Sequence, residues 1–319
     1  MKPTALALVL GASVALVATP ASAELRQITI GTNPAGTIAN VIGAGVAKLM
    51  QEKAGIRSTA EAHGGTSSYL PLLDDGELTL GVFIGVDLGL AARGEAPYKK
   101  PASHLHPIAR MIRLDYGYVA RSDSGLKSVA DLKGKRVVVG IKSNIVLQKV
   151  NKAVLATAGL GVGDVKAQDA GGLGQGLNAV VEGRADASAI ALGIPALRRA
   201  NASVPGGMRV LALGDKATDE VVDAIAPGAR VGKTVPSTRN VGVPEPMLAI
   251  GLDLYLVAGP TVDDKAGYLI AKTIYDNWGE LQQEIPALRQ FRKEDLALKS
   301  PVSYQAGAAK FYAEHNIGH

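Results

Sequence analysis

The chain has no cysteine. That excludes disulfides, a thiolate nucleophile, a lipid-modified amino-terminal cysteine and cysteine-built metal centres. A chain of 319 residues without cross-links must rest on its apolar core. Aromatics are scarce at 4%, and Trp278 is the only tryptophan. A stacking platform for bases or sugar rings is therefore not expected. The net charge is a moderate +5 with a sequence pI near 9.2, and its cations are scattered. No basic run of the nucleic-acid type occurs, and Lys99 and Lys100 in "YKKP" read as a solvated loop. Beyond the amino terminus no run is apolar and long enough to span a membrane.

Catalytic sets are missing as well. There is no G-x-S-x-G elbow. Of five histidines, His104 and His106 could grip a metal together, but no acidic or cysteine cluster completes a site, so both read as exposed loop residues. The pair Asp74 and Asp75 reads as a solvated turn at a helix end. "PGARVGKT" at 227–234 is one residue short of a phosphate loop and follows a helix rather than a strand. The Gly-rich runs "GGLGQG" and "GLGVG" lack the dinucleotide spacing. No cofactor and no enzyme activity are expected.

The amino terminus begins "MKPTALALVLGASVALVATPASAELRQ". Lys2, the apolar stretch 6–17 and "ASA" at 21–23 have the three parts of a secretory leader. Cleavage between Ala23 and Glu24 would export the chain to the periplasm. A membrane anchor is the competing reading, but the stretch is short for a span and Pro20 with its small neighbours favours cleavage.

The chain also says one thing twice. "HGGTSSYLPLLDDGELTLGVF" starts at His63, and "AGGLGQGLNAVVEGRADASAI" starts at Ala170. Each reads as a small-residue loop, a short helix, a Gly-ended turn and a strand. Upstream of each lie a strand, a loop and a helix. The first set is strand 27–30, the helix spacing Ile38, Ile42, Val46 and Leu49, and a stop at Gly55. The second set is strand 137–139 and a helix stopping at Gly159. Gly31, Gly55 and Gly76 thus match Gly140, Gly159 and Gly183. Extended segments at 108–120 and 248–257 read as two crossings, and helices are expected at 262–278 and 305–314. Alternating strands and helices imply two α/β lobes with mostly parallel sheets and a hinge of crossing strands. The division is 24–117 plus 247–319 for one lobe and 118–246 for the other.

In such sheets ligands sit beyond the carboxyl ends of strands, against helix starts whose unpaired N–H groups favour carboxylates. Small donors collect there: Thr32, Asn33, Gly36 and Thr37 before the first helix, then Gly64, Gly65, Thr66, Ser67 and Ser68. Lys142, Ser143 and Asn144 precede the helix of the second lobe. Helix capping explains each one separately just as well. Arg113, on the first crossing, could reach a carboxylate bidentately. Gly85, Asp87 and Gly193 complete the candidate ligand residues.

Several strings together resemble the TAXI family, the TRAP-associated extracytoplasmic immunogenic solute-binding proteins. They are "ITIGTNPAGT" at Ile28, "HGGTSSYLPLLDDGELTLG" at His63, "VARSDSGLKSVADLKGKRVVVG" at Val119, "LATAGLGVGDVK" at Leu155, "VVEGRADASAIALG" at Val180 and "SYQAGAAKFYAEHNIG" at Ser303. The resemblance implies a type II-like two-lobe periplasmic clamp, a soluble monomer that delivers a small organic anion such as glutamate or 2-oxoglutarate to TRAP permease subunits. It departs at Gly36–Asn40, where many members carry a Tyr pair, and at Gln305–Ala308, where many carry a His-Pro-Gly-Ala string. Without the Tyr pair, a glutamate-like ligand does not transfer directly. The alternatives are an ABC-type binding protein for sulfonates or a thiamine precursor, and an exported enzyme on the same fold.

Overall fold

The computed structural model describes residues 25–318. The leader read at 1–23 and its cleavage point at Ala23 and Glu24 lie outside them.

The chain opens with β1 (Gln27–Thr32), α1 (Ile38–Ala54), β2 (Arg57–Ala62), α2 (Thr66–Asp74), β3 (Leu80–Ile84) and α3 (Gly85–Arg93). The first crossing follows as β4 (His106–Arg121). Then come β5 (Arg136–Ile141), α4 (Ile145–Ala156), β6 (Lys166–Ala170), α5 (Leu173–Val181), β7 (Ala187–Ala191) and α6 (Pro195–Ser203). After β8 (Met208–Val210), α7 (Asp219–Ile225) and β9 (Arg230–Thr234), the chain recrosses as β10 (Met247–Ala258). It ends in α8 (Asp264–Asp276), α9 (Trp278–Glu284) and α10 (Ala306–Glu314).

All ten strands join one hydrogen-bonded path, β2-β1-β3-β10-β4-β7-β5-β6, with β9 on β10 and β8 on β4. The two ends of the path mirror each other. β1 runs parallel to β2 and β3, and β5 runs parallel to β6 and β7. The crossing strands are antiparallel to their neighbours. The central strands β3 (LGVFI) and β7 (ASAIA) are apolar and almost wholly buried, as strands covered on both faces must be. The edge strands β2 (RSTAEA) and β6 (KAQDA) are mostly exposed, and their charged side chains discourage edge-to-edge pairing.

The repeat read from the sequence is present down to backbone conformation. Gly31 and Gly140 are each the fifth residue of their strand. Gly55 ends α1 at φ 68°, Gly159 turns at 69° just beyond the end of α4 at Ala156, and Gly76 and Gly183 turn at 82° and 72°. Those are left-handed conformations that cost any residue with a Cβ.

The crossings start and stop within two residues of their expected limits. β4 is 16 residues long: its first part pairs with β10 and its last part with β7 and β8. β10 pairs with β9 at its start and β3 at its end. Each half-sheet is therefore completed by a strand that belongs to both.

One apolar core lies wholly in the first half, where Ile42, Val46 and Met50 of α1, Ile270 and Ile274 of α8 and Phe311 of α10 pack on Ile28 and Ile30. The other runs through both halves, from Tyr69, Leu73 and Phe83 to Val138, Val150 and Ile190.

The sequence reading passed over α3, α6, β8 and β9, while the helix it placed before Pro227 is α7. In α3, GVDLGLAAR, glycines interrupt any apolar stripe, and the helix starts directly from β3 without a side-chain cap. The helix expected at 262–278 is α8, and α9 starts anew at Trp278.

Candidate ligand cleft

The helix starts of the repeat lie at the carboxyl ends of β1, β2, β5 and β6. At the end of β1, Thr32 is fully buried. Its Oγ1 donates to the Glu61 carbonyl at 3.1 Å and accepts from Asn40 Nδ2 at 3.0 Å. The His63 amide donates to the Thr32 carbonyl at 2.9 Å. Thr32 therefore ties β1, β2 and α1 together. Thr37 caps α1: its Oγ1 accepts from the Asn40 amide at 3.3 Å and donates to the Pro34 carbonyl at 2.8 Å. Gly36 turns at φ 82° and is exposed. Asn33 is half-buried with its Oδ1 enclosed and unpaired.

At the start of α2, Gly65 is the residue before the helix and supplies no side-chain cap. Ser67 and Ser68 are exposed, and Ser68 Oγ donates to the Gly65 carbonyl at 2.7 Å. Thr66 turns inward, and its Oγ1 donates to Asp87 Oδ1 at 2.8 Å. In the second half, Lys142 and Ser143 are exposed, and their amides donate to the Ala170 and Gly171 carbonyls at 2.9 and 3.0 Å. Asn144 caps α4 by accepting from the Leu147 amide at 3.3 Å.

Loops from the two halves meet here. A Cβ built on Gly65 would lie 3.0 Å from the Ser143 carbonyl oxygen. Glycine at 65 allows that approach. Two further contacts join the halves. Lys149 on α4 bridges to Glu95, just past α3, at 3.3 Å. The 227–228 turn packs on Gly85 and Gly89 of α3.

Other candidates lie elsewhere. Gly85 is buried beside Tyr255 and the Gly228 carbonyl. Asp87 is fully buried in the first turn of α3, and Tyr98 OH also donates to its Oδ1, at 2.9 Å. Burial pushes the Asp87 carboxyl up to about 6, against the pull of the Thr66 and Tyr98 hydroxyls. Gly193 is buried at φ 75° against Arg239 and Asn240, and its carbonyl accepts from Arg198 at 2.7 Å. Arg113 lies on the face of the crossing strands, with Nη2 2.9 Å from Asp115.

Two bland readings need adjustment. Asp74 is not solvated: it is 9% exposed and takes the His104 amide at 3.4 Å, with the His104 ring 3.6 Å away, because the loop after α3 folds back along α2. Only Asp75 is exposed, facing Lys100 at 3.5 Å. His106 is half-buried at the start of β4, not in a loop, and its Nδ1 lies 3.1 Å from the Ser303 carbonyl. No group of three potential metal ligands exists among the described residues.

Sequence reasoning did not single out His63, which stands beside the Gly64–Gly65 loop. Its ring stacks on Tyr69 at 5.3 Å, and its Nε2 is enclosed without a partner. The only sequence signal was its place between β2 and the Gly pair.

Two half-sheets, each completed by the other's crossing strand, with helix starts facing across the join, define a two-lobe periplasmic binding protein fold. Solved structures share it. A TctC solute-binding protein from Polaromonas is 14% identical with a TM-score of 0.55, covering 92% of this chain and 96% of that one. The periplasmic aliphatic sulphonate-binding protein SsuA from Escherichia coli is 18% identical at 0.52, covering 91% and 83%. PhnD1 from Prochlorococcus marinus, in complex with methylphosphonate, is 13% identical at 0.51, covering 92% and 91%. The NMT1-like family matches residues 30–315, and the chain belongs to it. No curated protein matches it.

Proposed function

We propose that the protein is an exported, periplasmic solute-binding protein that closes its two lobes on a small organic anion and hands it to a TRAP-type permease, as in the TAXI family. The lobes are 24–117 plus 247–319 and 118–246. The observation that carries the reading is the meeting of the β2–α2 and β5–α4 loops at Gly65 and Ser143. There, helix starts of α2 and α4 bring unpaired N–H groups from both halves to one place. Ser67, Lys142 and Ser143 are the exposed donors beside them, while the Ser68 hydroxyl donates to the Gly65 carbonyl. Thr37 and Asn144 spend their side chains on capping and serve the ligand only through the helices they fix.

The sulphonate reading, with an ABC-type partner, uses the same helix-start chemistry, and SsuA shares the fold. Calorimetric titration with 2-oxoglutarate, glutamate and an alkanesulphonate separates the two. The expected result is saturable binding of a carboxylate, weakened by amidating it and by Ser67→Ala. The Ser67 loss should be about 1 kcal/mol, or up to about 3 where the bond is to a charged oxygen. Equal binding of acid and amide would rule out the carboxylate reading. Tighter binding of the sulphonate would move the assignment to the second reading.

A further inference from the structure

Where β4 and β10 cross between the halves, one face of the sheet carries a basic concavity of about 280 Å³. Arg110 and Arg113 of β4, Gly251 and Asp253 of β10, Arg230 of β9 and Lys299 of the segment before α10 line it. Register places Arg113 opposite Asp253, and Gly251 opposite both Asp115 and Arg230.

The charges here do not balance. Arg110 is 7% exposed and holds Asp253 Oδ1 through Nε at 2.7 Å and Nη2 at 2.6 Å. Arg113 is paired with Asp115. Arg230 and Lys299 form no ion pair among the described residues, yet Arg230 Nη2 donates to the Lys299 carbonyl at 3.2 Å. Two cationic residues thus line one concavity without counter-charges. Arg113 Nε is also enclosed and has no hydrogen-bond partner. A buried donor in that state costs free energy until it finds an acceptor.

The backbone keeps the guanidinium in place. A Cβ at Gly232 would lie 2.0 Å from Arg113 Nη2, and one at Gly251 would lie 2.6 Å from its Nε. Any side chain at either position would displace the Arg113 head from the concavity.

The geometry points to a binding site for a doubly charged oxyanion at the strand crossing, held by Arg230, Lys299 and Arg113. Sulfate, phosphate and a small dicarboxylate share that chemistry, and planar guanidinium groups suit all three. The site stands whether or not the loops at Gly65 and Ser143 take a solute. Arg230 and Lys299 come from segments on opposite sides of the second crossing, so one bound dianion links them.

The test is calorimetry with sodium sulfate at constant ionic strength, on the wild type and on Arg230→Ala and Lys299→Ala. Sulfate also stabilises proteins by exclusion from their surface, so saturable heat rather than a melting shift is the readout. The wild type should bind sulfate saturably, and each variant should bind roughly tenfold or more weakly, having lost a charge-assisted contact. Ser67→Ala, in the loop proposed for solute, should bind sulfate as the wild type does. Lys299 is exposed, so its truncation keeps the test valid if Arg230→Ala fails to fold. Succinate that displaces bound sulfate assigns the site to organic dianions, and sulfate that stays bound assigns it to inorganic ones. Non-saturable heat in the wild type, or variants that titrate like it, would overturn the site.

Discussion

Gly31 and Gly140 hold the same place in β1 and β5, but their surroundings differ. A Cβ on Gly31 would strike the buried Leu78 and Tyr69 side chains, each at 2.7 Å. A Cβ on Gly140 would meet the carboxylate of Asp169, an exposed edge residue able to swing away. The same contrast recurs at larger scale. Every buried charged side chain among the described residues, Asp74, Asp87, Arg110 and Asp253, lies in the first half or on the returning strand. The stretch between the crossings buries only neutral polar groups, Asn151, Thr157, Ser188 and Thr234. Where α3 carries Asp87 in its first turn, α6 opens with Pro195 and Leu197. A repeated backbone plan therefore does not imply repeated energetics. The first half holds the buried charge, and the second is closer to a plain apolar core.

The largest expected break in that symmetry is in pH dependence. Asp87 has its carboxyl raised from 3.8 to about 6 by burial. The folded state therefore holds that proton more tightly than the unfolded chain. Its contribution to stability is fully present below about pH 4 and is lost as pH rises through about 6, by about 3 kcal/mol. Urea unfolding across that window should show the decline in the wild type and not in Asp87→Asn. An unchanged slope in the variant would place the titration elsewhere.

Next come the paired glycines. Gly31→Ala should cost about 1–3 kcal/mol by overpacking. Gly140→Ala should be neutral, or stabilise by up to about 1 kcal/mol through reduced chain entropy in the unfolded state. Equal losses in chemical denaturation would mean that the halves are energetically alike after all.

The caps should restore the symmetry. Thr37→Ala and Asn144→Ala each remove one side-chain acceptor at a helix start, costing about 1 kcal/mol apiece. Matching shifts in the urea midpoint would mark capping as common to both halves, and a larger loss at one site would point to a second role there.

The smallest effect is expected at the join. Glu95 is exposed, and its carboxyl is held low by Arg93 and Lys149. Lys149→Ala should shift the unfolding midpoint slightly at low salt and not at high salt. A salt-independent loss would show that this bridge carries more of the contact between halves than a surface pair should.

Much of the fold was legible because it rests on local rules. The spacing of Ile38, Ile42, Val46 and Leu49 gave α1, and Gly55 gave its end. The long extended runs at 108–120 and 248–257 gave the crossings, within two residues. The candidate site was legible only in outline. Thr66 has the small hydroxyl expected of a cleft donor, but it turns inward to a carboxylate 21 residues away. Arg113 was read as a cleft anchor, and its neighbours Arg230, Gly232 and Lys299 lie more than a hundred residues further along the chain.

The sequence by itself determined the repeat, the turns at its glycines and the two long crossings, since periodicity, caps and left-handed glycines act over a few neighbouring residues. Tertiary structure alone decided which donors face out, where buried charge collects and how the halves touch. Those outcomes depend on desolvation and on partners brought together across long stretches of chain, such as Arg110 with Asp253, and no local pattern encodes that pairing.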